Sequence, residues 1–352
     1  MKKNILALLL VGMVIATSGC SGASSAESSG TGTTSADQEE KASWKPTQTI
    51  NIYCGTGAGG GVDLANRAVA TAFSEYFGVP VNVTNMTGGG GGIAANHVYN
   101  QKHDGYSLFG TSDAVHSLAV QGAFEHGTDV WDFQMLTTTK GVLAVKSDSP
   151  YQTLEDLAEA AKVKDIKVAA SQAGCVWYVK VKQINAAGDT NMQLIPYEGS
   201  SASVVAMMSQ EVDAVLCGIS ELEDYILTDK IRPLATAETE ALNVEGYGEI
   251  PKVADTYPKF ADMAQVIQWA GIAIPSDIPE EVKEAYEEAW EYALASEPVA
   301  NLLNSGKGVE LLGLSGEEAA ETVKDSDSVF AWILWDEGIA TISPEEFGIE
   351  RK

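Results

Sequence analysis

Apolar and polar positions alternate between two periods along most of the chain. A two-residue period or a short apolar run marks a strand, and a 3.6-residue period marks a helix. "TINIYC", "VPVNVTN", "YSLFGTS", "IKVAAS", "MQLIPY", "VDAVLCG", "IRPLATA" and "WAGIAIP" read as strands. "VDLANRAVATAFSEYF" repeats Val62, Ala65, Val69, Ala72, Phe73 and Tyr76 at helical spacing. "IAANHVYNQ", "LEDLAEAAK", "VWYVKVKQINAAG", "SASVVAMMSQ" and "IPEEVKEAYEEAWEYALAS" read as further helices, the last with Pro279 near its first turn. A final helix opens at Ser315, with Glu318 at capping-box spacing. Strands that alternate with helices predict an α/β protein.

Several predicted strands run into a Gly- or Ser-rich loop that opens a helix. The loops are "GTGAGGGVD", "TGGGGG", "GTSDAVH", "SQAGC" and "YEGSSAS". Such a loop presents backbone N–H groups and the positive end of a helix, a cradle for an anion. In open α/β sheets, ligands bind at this carboxyl edge.

The N-terminus is of another kind. Lys2 and Lys3 precede an apolar run over residues 5–16, and Ser18 and Gly19 lead to Cys20. That layout is a secretory signal, and the run falls short of the roughly 20 apolar residues of a membrane span. Small residues before Cys20 are expected to mark lipoprotein processing over residues 1–20, with Cys20 carrying the lipid; an ordinary cleaved signal is the alternative. Residues 21–46 are rich in Ser, Gly and Thr, a flexible tether. Roughly 300 residues follow, enough for two domains.

The formal charge is −27, and no basic patch offsets it, which excludes nucleic acid as a partner. An anion site on such a chain must work through local dipoles, because net charge is screened beyond roughly 8–10 Å. Gly55, Gly57 and Gly60 match the dinucleotide fingerprint. The second strand lacks the acidic residue that would bind the ribose, offering Asn82 and Asn85 instead. No nucleotide or other cofactor is expected, and no Cys or His spacing predicts a metal site. Cys54, Cys175 and Cys217 are read as three free thiols rather than one disulfide and one thiol. Cys175 follows a Gly at a helix start, where a thiol pKa falls, so an exported thiol enzyme is one alternative function.

In order along roughly residues 47–335, "GTGAGGGVDLANRAVA", "VNVTNMTGGGGGIAANHV", "DGYSLFGTS", "KVAASQAG", "IPYEGSSASVVAMMSQEVDA", "IRPLATA" and "VIQWAGIAIPSDIPEEV" carry a resemblance. The chain resembles the extracytoplasmic solute-binding proteins of tripartite tricarboxylate transporters, the Bug-type receptors. The resemblance implies a two-domain, periplasmic-binding-protein-like (type II-like) α/β fold. Domain one would take residues 47–145 and 271–352, and domain two residues 146–270, with the ligand between them. It implies a monomeric, non-enzymatic receptor, lipid-anchored outside the cell membrane or periplasmic. The receptor would capture a small carboxylate and pass it to a two-component membrane permease. A sensor feeding a signalling protein is the other alternative. By position, Thr56, Gly57, Ala58, Gly59, Gly60 and Asp63 would form the first wall, with Ser112 beside it. Ser171, Ala173, Gly174 and Cys175 would face it, and Tyr197, Gly199, Ser200 and Asp213 would edge the second domain. Trp269 reads as hinge packing, and Glu198, where the family carries Lys, as solvent-facing.

Overall fold

The computed structural model describes residues 44–351, apart from 264 and 306–307. The signal, the lipidation residue Cys20 and nearly all of the tether lie outside the described residues. The strands are β1 (Ile50–Cys54), β2 (Val81–Asn85), β3 (Ser107–Ser112), β4 (Trp131–Thr139), β5 (Gly141–Lys146), β6 (Lys167–Ala170), β7 (Gln193–Pro196), β8 (Ala214–Gly218), β9 (Ile231–Thr236), β10 (Leu242–Val244), β11 (Gly248–Ile250), β12 (Ala270–Pro275) and β13 (Val309–Leu314). The helices are α1 (Gly61–Phe77), α2 (Gly92–Tyr99), α3 (Val115–Leu118), α4 (Leu154–Ala161), α5 (Val176–Gly188), α6 (Ser200–Met208), α7 (Ile219–Leu227), α8 (Val253–Thr256), α9 (Glu280–Leu294), α10 (Glu297–Leu303) and α11 (Gly316–Asp336).

The strands form two main sheets, ordered β13-β4-β12-β3-β1-β2 and β7-β6-β8-β5-β9. Each centres a lobe. In the first lobe β1 pairs in parallel with β2 and β3, and β12 lies antiparallel between β3 and β4. In the second lobe β6 is parallel to β7 and β8, and β5 is antiparallel to β8 and β9. Only Lys140 separates β4, in one sheet, from β5, in the other. The chain returns between β9 and β12.

The helices bury the stripes their sequences set out. In α9 the buried positions are Val282, Ala285, Tyr286, Ala289, Trp290 and Ala293, one face of a 3.6-residue period. In α1 Ala65, Val69, Ala72 and Phe73 are buried, whereas Tyr76 lies at the surface with its hydroxyl on Glu288. The final helix begins after Ser315 as predicted, but the Ser315 side chain caps nothing. Gly316 enters that helix with φ +56°, which breaks the regular first turn a capping box requires. The helix α11 packs Ala319 and Val323 into the first lobe, and Phe330, Ala331 and Leu334 into the core around the second sheet.

Polar groups are buried at the seam between the lobes. The Val176 amide at the start of α5 donates to the Asp113 carboxylate at 2.8 Å. Lys180, one turn further along α5, is 1% exposed. Its ammonium donates to Glu238 at 2.6 Å and to the Ala237 carbonyl at 2.8 Å, and Glu238 also accepts from the Gly141 amide at 2.7 Å. That pair ties α5 to both chain crossings. Burial lowers the Lys180 pKa, and Glu238 opposes the shift. In the first lobe the buried Asn66 side chain donates to the Gly271 carbonyl at 2.7 Å.

Two predictions follow from this packing. A Cβ on Gly271 would lie 2.0 Å from the Gln134 carbonyl oxygen, so Gly271→Ala should cost about 2–3 kcal/mol in urea unfolding; a cost near zero would refute the close approach. Burial raises the Asp113 carboxyl from its ordinary 3.8 to about 6, against the Val176 hydrogen bond and His116. Between those values the folded chain holds a proton that the unfolded chain has lost. The contribution of this group is therefore most favourable below about pH 4 and falls as pH rises through about 6, by ~2–3 kcal/mol in all. Asp113→Asn keeps an acceptor for Val176 and removes the charge. It should be more stable than the parent above about pH 7, with the gap closing towards pH 4 in melts across that range; a gap independent of pH would contradict the assignment.

Candidate functional site

Parallel strands end on the same side of a sheet. The loops after β1, β2 and β3 therefore gather at one edge of the first sheet, and those after β6, β7 and β8 at one edge of the second.

In the first lobe Gly55 packs directly on Gly91, where a Cβ would lie 2.9 Å from the Gly91 Cα. This joins the two glycine loops. Thr56 is half-buried, with its hydroxyl 3.3 Å from the Cys54 sulfur, and its carbonyl accepts from Asn85 at 3.0 Å. Gly57, Ala58, Gly59, Gly60 and Gly61 are exposed, and no side chain caps α1 at Gly60. The rim they form consists largely of backbone.

Asp63 is buried beneath that rim. Its carboxylate accepts from the Gly59 amide at 2.8 Å, from Arg67 Nε at 2.9 Å and from Asn85 at 2.7 Å. A second Arg67 nitrogen lies 2.9 Å away. Burial would raise this carboxyl, and the Arg67, Gly59 and Asn85 hydrogen bonds overcome it and hold the group below its usual range. Asp63 is thus the post around which the rim is tied.

The third loop faces the other lobe. Ser112 is buried, and its hydroxyl accepts from the Ala114 amide at 3.4 Å. Asp113, the next residue, reaches Val176. Gln121 donates to the Ala173 carbonyl at 3.1 Å, and Gly174 lies against Ser117 and Gln121 so closely that a Cβ would fall 2.6–2.7 Å from them. Gly174 also has φ +93°, so both backbone shape and space require glycine.

In the second lobe the Ser171 and Ser200 hydroxyls are 3.1 Å apart. The Tyr197 amide donates to Ala170 at 3.1 Å, and Gly199 precedes α6 without a side-chain cap. Ser171, Ala173, Gly174, Cys175, Tyr197, Gly199 and Ser200 therefore share one edge. Asp213 is not with them. It pairs with Lys167, at the opposite end of β6, through the Lys167 amide to its carboxylate at 2.9 Å. Glu198 is exposed.

The three described cysteines are free and buried. The helix start at Cys175 does not lower its pKa. Burial, with Asp113 adding to it, pushes the thiol up to about 12, so it is a neutral packing group and the thiol-enzyme reading loses its nucleophile. Trp269 is fully buried, and its indole donates to His116 Nε2 at 3.4 Å. His116 Nδ1 is 2.7 Å from Asp327, which also accepts from Thr128 at 2.5 Å. Among the described residues no group of three His, Cys, Asp or Glu side chains could hold a metal ion, and no helix is long and apolar enough to cross a membrane. The sequence reading passed over Asp113, His116, Gln121, Lys180 and Glu238. Asp113 was within reach, since it follows Ser112 in a loop already singled out.

The arrangement is two backbone-lined edges brought face to face, with no nucleophile or metal cluster among the described residues. Comparison with known proteins agrees. A relative from Pseudomonas sp. strain P51, the UPF0065 protein in the tcbD-tcbE intergenic region, is 24% identical over 302 residues, 83% of this chain and 87% of its own. MatC from Rhodopseudomonas palustris, solved with bound malate, superimposes with a TM-score of 0.69 at 22% identity, over 81% of this chain and 98% of its own. A second R. palustris protein, solved with adipate, gives 0.68 at 19% identity, over 84% and 99%. These likenesses establish the two-domain, periplasmic-binding-protein-like α/β fold. The sequence pattern described as "Tripartite tricarboxylate transporter family receptor" matches residues 65–331, well over half of the chain. The chain belongs to that family of solute-binding receptors, which are not enzymes.

Proposed function

We propose that this receptor captures a small carboxylate between its two lobes and delivers it to a two-component membrane permease. The observation that carries the reading is the rim at residues 57–61. It is exposed, nearly free of side chains, uncapped at the start of α1 and tied from below by Asp63. A helix start of this kind favours a negative group without any cation, which suits a chain of charge −27. Serines on the facing edge, Ser171 and Ser200, add hydroxyl donors. Malate and adipate, held by the two structural neighbours, are carboxylates of the size such a cleft accepts.

The lobes correspond to residues 47–145 with 271–352, and to residues 146–270, and α11 extends from the first to pack on the second. The contacts from Asp113 to Val176 and from Gln121 to Ala173 are those a closed cleft would make, and hinge closure is the usual motion of such receptors. Export by the N-terminal signal and a lipid on Cys20 would hold the receptor on the outer face of the membrane, where its permease partner takes the ligand. Asp213, at the far end of β6, belongs to the framework of the second lobe rather than to the ligand.

Gly57→Asp tests the site. No atom lies within 4 Å of a Cβ at that position, so the new side chain fits without clash and adds a negative charge to the rim. In calorimetry against mono-, di- and tricarboxylates, binding should weaken about tenfold or more with the melting temperature unchanged. Affinity equal to the parent's would place the ligand elsewhere.

A further inference from the structure

We propose that Asp113 sets the charge selectivity of the cleft. Its carboxylate fills the amide end of α5 and so rejects any ligand whose second-lobe end is itself a carboxylate. This rests on the receptor reading above and narrows it: the ligand is a small monocarboxylate whose far end is neutral or cationic.

Asp113 ends the β3 loop of the first lobe, yet its hydrogen-bond partner, Val176, opens a helix of the second. α5 runs for 13 residues and has no side-chain cap of its own at Cys175. The one buried carboxylate within reach of its first amide comes from the other lobe, and Asp113 is only 4% exposed. Around this contact Gly90 faces Gln172, while Ser117 and Gln121 press on Gly174. A ligand lodged between the glycine rim and the loop at residues 171–175 therefore has Asp113 at its second-lobe end.

The groups facing Asp113 leave its charge unmatched. His116 is engaged with Asp327 and Trp269. Cys175 stays neutral, with its thiol held up at about 12. Lys180 is committed to Glu238 and the Ala237 carbonyl. A second carboxylate brought within ~4–6 Å would meet a like charge in a buried setting, which disfavours its ionised form by about one to three pKa units, or about ten- to a thousandfold in affinity. An amide escapes that penalty, and an ammonium group would gain a charge-assisted hydrogen bond.

The test compares matched trios at about pH 8, where carboxyl groups are ionised. Succinate, adipate and terephthalate are each titrated against the half-amide and the amino acid of the same frame, into the parent protein, Asp113→Asn and Asp113→Ser. On the frame that fits, the parent should bind the amide or amine about tenfold or more tighter than the diacid, and both variants should shrink that ratio by about tenfold or more. Melting curves confirm that the variants are folded, and the two substitutions guard against one misfolding. A ratio unchanged in folded variants, or a parent that prefers the diacid, overturns the selectivity and leaves the receptor standing. Failure of every compound to bind any of the proteins overturns the receptor reading and the selectivity with it.

Discussion

Parallel pairing of β1 with β2 and β3, and of β6 with β7 and β8, is the constraint on which the site depends. Parallel neighbours cannot be joined by hairpins, so each strand must leave its sheet, form a helix and return. All the loops that open those helices then fall on one edge, with their amides pointing outward. Two sheets built this way, linked at β4–β5 and again at β12, turn those edges towards each other. The glycine-rich loops supply the rest. They let backbone come close to a bound group, and they do so in a chain whose overall charge would repel an anion at a distance.

Side chains with charge are used as framework. Asp63 receives Gly59, Arg67 and Asn85 and shapes the rim from below. Lys180 and Glu238 hold α5 to the crossings. A buried pair of this kind adds little net stability over apolar packing, but losing one partner would cost about 3–5 kcal/mol. Its effect is to fix where the start of α5 lies relative to the first lobe. Asp113 occupies that start, and burial makes its charge costly at neutral pH. The chain retains that cost at the seam between its lobes, where a ligand would be judged.

Much of this was readable from residue order. Short-range periodicity placed β1, β2, β3, β6 to β9 and β12, because each is bounded by turn residues and carries its own pattern. The same rule placed α1, α5, α9 and α11. It passed over β4 and β5, since "WDFQMLTTTKGVLAVK" runs through Lys140 without any turn signal although the chain changes sheets there. It also passed over β13, whose pattern of exposure on an edge is weak. Motif order was enough to name the family and to mark the two loop systems that meet.

What residue order left open were the roles of groups set by partners distant along the chain. Asp63 reads equally as a ligand contact or a support until Asn85 and Arg67 are seen on it. Cys175 sits at a helix start, where local rules lower a thiol pKa, but the surrounding core and Asp113 raise it instead. Asp213 lies near Tyr197 and Ser200 in a familiar motif, yet a four-residue strand separates the end it occupies from theirs. Periodicity and turn chemistry act over a few residues, so the sequence by itself determined the elements, the loops and the family. Burial and charge act through space, so only the tertiary structure decided which of those residues face the cleft, which support it, and that Asp113 crosses from one lobe to cap a helix of the other.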